Sequence, residues 1–197
     1  MSFVQPVILT GQRVELVPLS FDHLDDLVES VEDGSLWLLW YTFIPEPSKM
    51  RDEIARRLGL QEAGSMMPFA VVDRETGKAC GMTTYMNIDA SARRVEIGST
   101  WYRKGVQRTG LNTECKLLLL THAFEKLNCI AVEFRTSFFN QQSRKAIERL
   151  GAKLDGILRN HSMHSNGTLR DTCVYSIIQS EWSTVKVHLR AGLNSLI

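Results

Sequence analysis

Residues 101–116, WYRKGVQRTGLNTECK, gather groups that bind anions: Arg103, Lys104 and Arg108, the polar side chains of Gln107, Thr109, Asn112 and Thr113, and two glycines. Gly105 and Gly110 are separated by four residues, as in a G-x-x-x-x-G-K-[ST] phosphate loop. Leu111 and Asn112, however, stand where that loop needs a Lys for the β/γ-phosphates and a hydroxyl for Mg²⁺. A triphosphate would lack both counter-charge and metal, and no G-x-G-x-x-G is present for a dinucleotide. What remains is a strand feeding a loop at a helix start, whose outward N–H groups and macrodipole favour an anion. Gln107, Arg108, Thr109 and Gly110 suit a diphosphate better than one phosphate, with Gly110 admitting the ligand closely because it has no Cβ. Arg103, Lys104 and Arg108 read either as a solvated charge run or as phosphate contacts, and their place at the helix mouth favours contact.

Other reactive side chains are weighed one at a time. Cys115 shares an apolar helix side with Leu111 and Leu118 or Leu119, which reads as a core thiol rather than a nucleophile. His161 and His164 form an H-x-x-H on a strand leading into a turn, without a third ligand at metal-site spacing. They read as solvent-facing or substrate-lining, and no metal is expected. In a strand, Val95, Ile97 and Ser99 point to one side and Glu96, Gly98 and Thr100 to the other, so Glu96 can face a cleft while Val95 and Ile97 pack. Asn140 is placed to cap a helix whose first turn contains Ser143. Trp37, Trp40, Tyr41 and Phe43 either line an acceptor pocket or pack a core.

The elements that must position these groups follow from hydrophobic period and turn residues. RVELVPLS reads as a half-buried strand and Ser20 as the start of a helix. KMRDEIARRLGLQEAG reads as a helix with Ile54, Leu58 and Leu60 inward and Arg56 and Arg57 in water. Two strands joined around Glu75-Thr76-Gly77 come next, then the strand RRVEIGSTWY, a helix from Gly110 to about Leu127, the strand CIAVEFRTSF and a helix closed by Gly151. A long hairpin turning at Asn166-Gly167 precedes a C-terminal amphipathic helix over 180–197. The pattern is α+β, expected as one domain over 1–197.

Bulk properties exclude whole classes of function. With 23 Lys and Arg against 22 Asp and Glu, no global field draws the chain to nucleic acid or an anionic membrane, so any basic site is local. Cys80, Cys115, Cys129 and Cys173 are scattered, as suits reduced thiols. No leader or apolar span is evident, and a soluble cytoplasmic protein is expected.

Gln107-Arg108-Thr109-Gly110-Leu111-Asn112 resembles the Q/R-x-x-G-x-G/A signature of the GNAT acetyltransferase superfamily, in the setting of that family's fourth strand. AVEFRTSFFNQQSRKAIERLGAKLDGILR resembles its fifth strand and last core helix, and N-x-x-S-x-x-x-I-x-x-L-G with L-D-G-I-L-R resembles the RimJ/RimL branch of ribosomal-protein N-terminal acetyltransferases. The resemblance, running to about residue 178, implies a mixed, mostly antiparallel twisted sheet of about seven strands flanked by helices. It implies acetyl-CoA as co-substrate, held by Trp101, Tyr102, Gln107, Arg108, Thr109, Gly110, Leu111, Asn112, Thr113, Asn140 and Ser143. Glu96 would relay a proton from an acceptor amine, Ser143 would donate to the thioester sulfur, and Trp37, Tyr41 and His161 would line the acceptor site. That acceptor is a protein N-terminus or a small amine, and similar proteins are commonly homodimers. Two departures stand out: Asn112 replaces the final Gly/Ala, and Ile147 stands where many members carry a Tyr thought to protonate the thiolate. An acidic residue that similar enzymes place around Ser162 is absent too, leaving His161 as a substitute. These departures keep a second reading open, a non-catalytic acyl-CoA-binding or sensory module.

Overall fold

A computed structural model describes residues 3–194. Eight strands form one sheet in the order β1-β2-β3-β4-β5-β6-β8-β7: Leu9–Thr10, Val14–Pro18, Met66–Asp73, Ala79–Asp89, Arg94–Tyr102, Ala131–Ser137, Lys153–Met163 and Leu169–Ile178 for β1 to β8. Every pairing is antiparallel except β5 with β6. The strand beyond the expected seven is β1, a two-residue edge piece with too little pattern to read. The final helix α5, Trp182–Asn194, lies within the expected 180–197 extension, whose last three residues fall outside the described ones.

Helices cover both faces. Helices α1 (Leu24–Glu32) and α2 (Met50–Glu62) pack Leu27, Val31, Met50 and Ile54 against Ala70, Ala79, Met82 and Trp101. On the other face α3 (Leu111–Glu125), α4 (Gln141–Arg149) and α5 bury Leu111, Cys115, Leu119, Ile147 and Trp182 against Val95, Ile97, Phe134 and Tyr175. Strand β3 is buried on both faces and is accordingly almost continuously apolar, MMPFAVVD. All four cysteines are free and buried. Among the described residues no helix is long and apolar enough to cross a membrane.

Arg57 does not lie in water. It is 2% exposed, and its Nε donates to Glu53 Oε1 at 2.7 Å. A guanidinium can be buried when its donors find acceptors, and helical spacing could reveal Glu53 at i,i+4 but not the two further acceptors, Thr84 and Ser99, on β4 and β5.

Strands β5 and β6 make the opening that matters. They pair only at Arg94↔Ala131, Val95↔Val132 and Glu96↔Glu133; from Ile97 and Phe134 onward they separate, β5 staying with β4 and β6 with β8. A bulge on β5 accompanies the divergence, since Met82 pairs Trp101 while Thr84 pairs Gly98, so that Ser99 and Thr100 together oppose Thr83.

Candidate active site

The bulge reverses the expected facing of two residues. Ser99, at φ 48°, turns its hydroxyl to the Met86 sulfur on Glu96's face, whereas Thr100 Oγ1 meets Thr83 Oγ1 (2.8 Å) on the α3 face. Simple alternation had placed them the other way round, and Gly98, just before Ser99, is the one local mark of the irregularity in the sequence. Arg57 and Lys116 hold the bulge from opposite faces. Arg57 Nη1 donates to Thr84 Oγ1 (2.8 Å) and Nη2 to the Ser99 carbonyl (3.1 Å). Lys116 Nζ donates to Thr100 Oγ1 (2.9 Å) and Thr83 Oγ1 (3.2 Å), and complete burial pushes its pKa down to about 8.

Glu96 sits at the apex of the wedge, where pairing with β6 ends. It is 5% exposed; its Oε2 accepts from Asn87 Nδ2 at 2.7 Å and lies 3.5 Å from Arg135 Nε. Burial raises its pKa above the ordinary carboxylate value, against the opposing pull of Asn87 and Arg135. Gly98 makes room for it, because a Cβ there would lie 2.9 Å from Glu96 Oε1 and 2.7 Å from the Met86 sulfur.

The open end of the wedge is bordered by the starts of α3 and α4. Gly110 caps α3 at φ 91° without a side-chain cap, and Leu111 N is weakly held by Thr109 Oγ1 (3.5 Å). The N–H groups of Asn112 and Thr113 have no partner among the described residues, which is the arrangement an anion completes. Leu111 itself is 4% exposed and points into the core, so only its backbone reaches the mouth. Trp101 and Tyr102 likewise bury their rings in the two opposite cores, leaving backbone atoms for a ligand. Gln107 Nε2 donates to Tyr102 O (3.0 Å), and Gln142 Nε2 donates to Gln107 Oε1 (3.3 Å), joining the two lips.

The basic residues of the loop divide. Arg103 Nε donates to Asp33 Oδ2 (3.2 Å), which also accepts from Gly105 N (2.8 Å), and the Lys104 stem packs over Gly34. Arg108, exposed at φ 66°, has no side-chain hydrogen bond or ion pair among the described residues, and neither has the Lys104 ammonium. Across the loop, a recess of about 710 Å³ mixes Arg13 and Arg74 with Asp73 and Glu75 and offers no comparable anion cradle.

Asn140 caps α4, its Oδ1 accepting from Ser143 N at 3.0 Å, which leaves the half-buried Ser143 hydroxyl without a partner among the described residues. Cys115 is fully buried with its pKa pushed up to about 12, which removes it as a nucleophile. Ile147 is 7% exposed in the core and supplies no proton.

Of the residues expected to line the acceptor site, Trp37 and Tyr41 are half-buried and His161 is exposed. Trp37 packs on the α1–α2 core, and Tyr41 touches Trp40 (ring centroids 5.7 Å). Trp40 is the residue that reaches across, to Phe139 (5.6 Å) beyond β6 and to His164 (5.2 Å) beyond β7. His161 is exposed and bonds Thr172 Oγ1 through Nδ1 (3.1 Å). Asn87, Arg135 and Arg170 complete the neighbourhood of Glu96 and were absent from the sequence reading as site residues, whereas His164, which senses the Arg170 charge, was read there with His161 as solvent-facing or substrate-lining. The H-x-x-H spacing was the one signal that could have drawn attention to His164.

An open helix mouth beside a wedge between diverging parallel strands suits an acetyl-CoA-dependent N-acetyltransferase. The chain belongs to the GNAT acetyltransferase family: residues 13–153 match the Acetyltransferase (GNAT) domain. A curated relative, "Putative ribosomal N-acetyltransferase YdaF" of Bacillus subtilis, is 34% identical over 110 residues, 56% of this chain and 59% of the relative. A GCN5-related N-acetyltransferase from Brucella melitensis superposes with TM-score 0.86 at 28% identity, covering 96% of this chain and 86% of that one. Mycobacterium smegmatis RimJ in complex with CoA-disulfide shares the fold, with TM-score 0.80 at 18% identity, covering 95% of each chain.

Proposed function

We propose that the protein transfers the acetyl group of acetyl-CoA to a primary amine by direct attack in a ternary complex, and that the amine is a protein N-terminus. The observation that carries this reading is the wedge itself, with a buried carboxylate at its apex and unpaired helix N–H groups at its mouth. Bound there, acetyl-CoA supplies the activated acyl group. The N–H groups of Asn112 and Thr113, with Arg108, would hold its diphosphate. Glu96 Oε1, the oxygen not bonded to Asn87, takes the proton the amine must shed, directly or through water. An ordinary glutamate is a poor base for an amine of pKa near 8, and the raised pKa of Glu96 narrows that gap. Ser143 Oγ holds a proton it can share with the departing sulfur, in the absence of a tyrosine at 147.

The acceptor assignment rests on the name of the YdaF relative and on the exposed Trp40, which leans on Phe139 and His164, with exposed Phe43 near it in the chain; such an aromatic surface suits an extended chain better than a bare polyamine. Thiol release from acetyl-CoA, measured across N-terminal peptides, amino acids and small amines, tests it. Turnover is expected with peptides; faster turnover of small amines than of every peptide would move the acceptor class. Coenzyme binding with no turnover across the panel would leave the non-catalytic module.

A further inference from the structure

The charges around Glu96 do not balance. Glu133 pairs with Arg94 (2.6 Å) and Arg135 (3.0 Å), and Arg135 also approaches Glu96 (3.5 Å), so these two carboxylates are already served by two guanidiniums. Arg170 is a third. Its place follows from strand register: Glu96 is beside Glu133, Glu133 beside Ser176, and Thr172 and Arg170 follow on the same face of β8. Arg170 is half-buried, its Nε is buried without a hydrogen bond, and it has neither hydrogen bond nor ion pair to any described residue. It feels the Glu96 charge without contacting it.

A second donor group lies beside it with the same deficiency. His164 is 8% exposed, and its Nε2 is buried without a partner. Trp40 meets the ring edge-on at 5.2 Å and leans on Phe139, so an aromatic pair screens one side of His164. Burial keeps His164 toward its neutral form. A guanidinium fork and an imidazole left unpaired in such a place each forfeit hydrogen bonds that water would have provided, and a carboxylate restores them in bidentate geometry.

We propose that Arg170, flanked by His164, is a carboxylate-recognising subsite of the acceptor site, so that the amine presented to Glu96 belongs to a molecule bearing a carboxylate a few atoms away. The inference rests on the acetyltransferase reading for the amine and on the unpaired donors for the carboxylate. The Glu96 carboxylate orients such a molecule by attracting its ammonium end and repelling its anionic end. Two sources offer the same chemistry: an acidic side chain near a peptide N-terminus, or the α-carboxylate of a free amino acid. A bare polyamine or an amino-acid amide lacks it and meets an unmatched cation.

The test uses the full chain and matched acceptors: N-terminal peptides with Asp or Asn at the second position, and serine against serinamide. Acetyl transfer is followed by thiol release, and acceptor binding by calorimetry in the presence of CoA. The carboxylate member of at least one pair is expected to bind and react at least tenfold better, through KM rather than kcat, and whichever pair shows this names the source. Arg170→Gln should erase the preference while leaving the KM for acetyl-CoA unchanged, and Arg170→Lys should restore part of it. Equal binding of both members in both pairs, or an Arg170→Gln variant that weakens both members alike, overturns the subsite. Discrimination in binding without any turnover upholds the subsite and sinks the transfer reaction instead.

Discussion

Burial does two things to Glu96: it raises the pKa, and it fixes the carboxylate so that one oxygen is committed to Asn87 and the other is free. If that free oxygen relays the proton, kcat falls on the acid side as Glu96 protonates, with a midpoint above the ordinary 4.5 rather than at it. Glu96→Gln should remove this limb, leaving the amine's own ionisation, and lower kcat by about 10²-fold or more. A pH–rate profile showing the same acid limb in the variant would clear Glu96 of the role. Gly98→Ala is the subtler probe, because its methyl would crowd Glu96 Oε1 without altering any titrating group. We expect kcat to drop about tenfold with coenzyme KM unchanged, a displacement of roughly an ångström being enough for such a loss. Alternation along RRVEIGSTWY was sufficient to aim Glu96 at a cleft. It could not show Arg170 or Trp40 there, since these are separated by most of the chain and meet only through the sheet order.

At the scale of elements, the bulge on β5 is held by two buried cations, and one of them carries an energetic cost. A lysine displaced from 10.5 to about 8 reflects about 3 kcal/mol of unfavourable burial at neutral pH. Because the unfolded chain binds the proton more tightly, stability should rise with pH between about 8 and 10.5 as folded Lys116 releases it first. Lys116→Met should keep or raise the neutral-pH Tm, lose that rise, and still lower kcat, because Thr100 and the bulge lose their grip. An equal fall in Tm and activity would make the lysine merely structural. Helix α3 is anchored by a different device: the Glu114 carboxylate accepts from the N–H groups of Gln12 (2.7 Å), Arg13 (2.8 Å) and Val14 (3.1 Å). Glu114→Gln can accept through only one oxygen and should cost about 1.5–3 kcal/mol in chemical denaturation. Helices and strands were readable from period and caps, and the proposed coenzyme loop stood out by its glycine and clustered donors. The bulge, buried Arg57 and the Glu114 anchor were not, because each depends on partners from another element, and neither Gly98 nor the i,i+4 pair of Arg57 with Glu53 shows which partners those are.

For the whole molecule, the sheet is two sub-sheets, β1–β5 and β6–β8, joined along a seam of three residue pairs. A ligand seated in the wedge touches both sides. CoA at about 100 times its Kd should add about 2.7 kcal/mol, or roughly 5–10 °C in Tm for a chain of this size. Amide hydrogen exchange should slow on β6 as well as on α3; protection confined to the α3 mouth would show that the ligand does not bridge the seam. In the proposed reading the two sites also differ in origin. The coenzyme would be held by one continuous stretch, the β5–loop–α3 unit, whereas the acceptor would be walled by the α1–α2 connection and the tip of the β7–β8 hairpin, which meet across the seam from distant parts of the chain. An engineer could therefore graft the connection and the hairpin tip as a pair to change which amine is accepted, while leaving untouched the module that loads the acetyl donor.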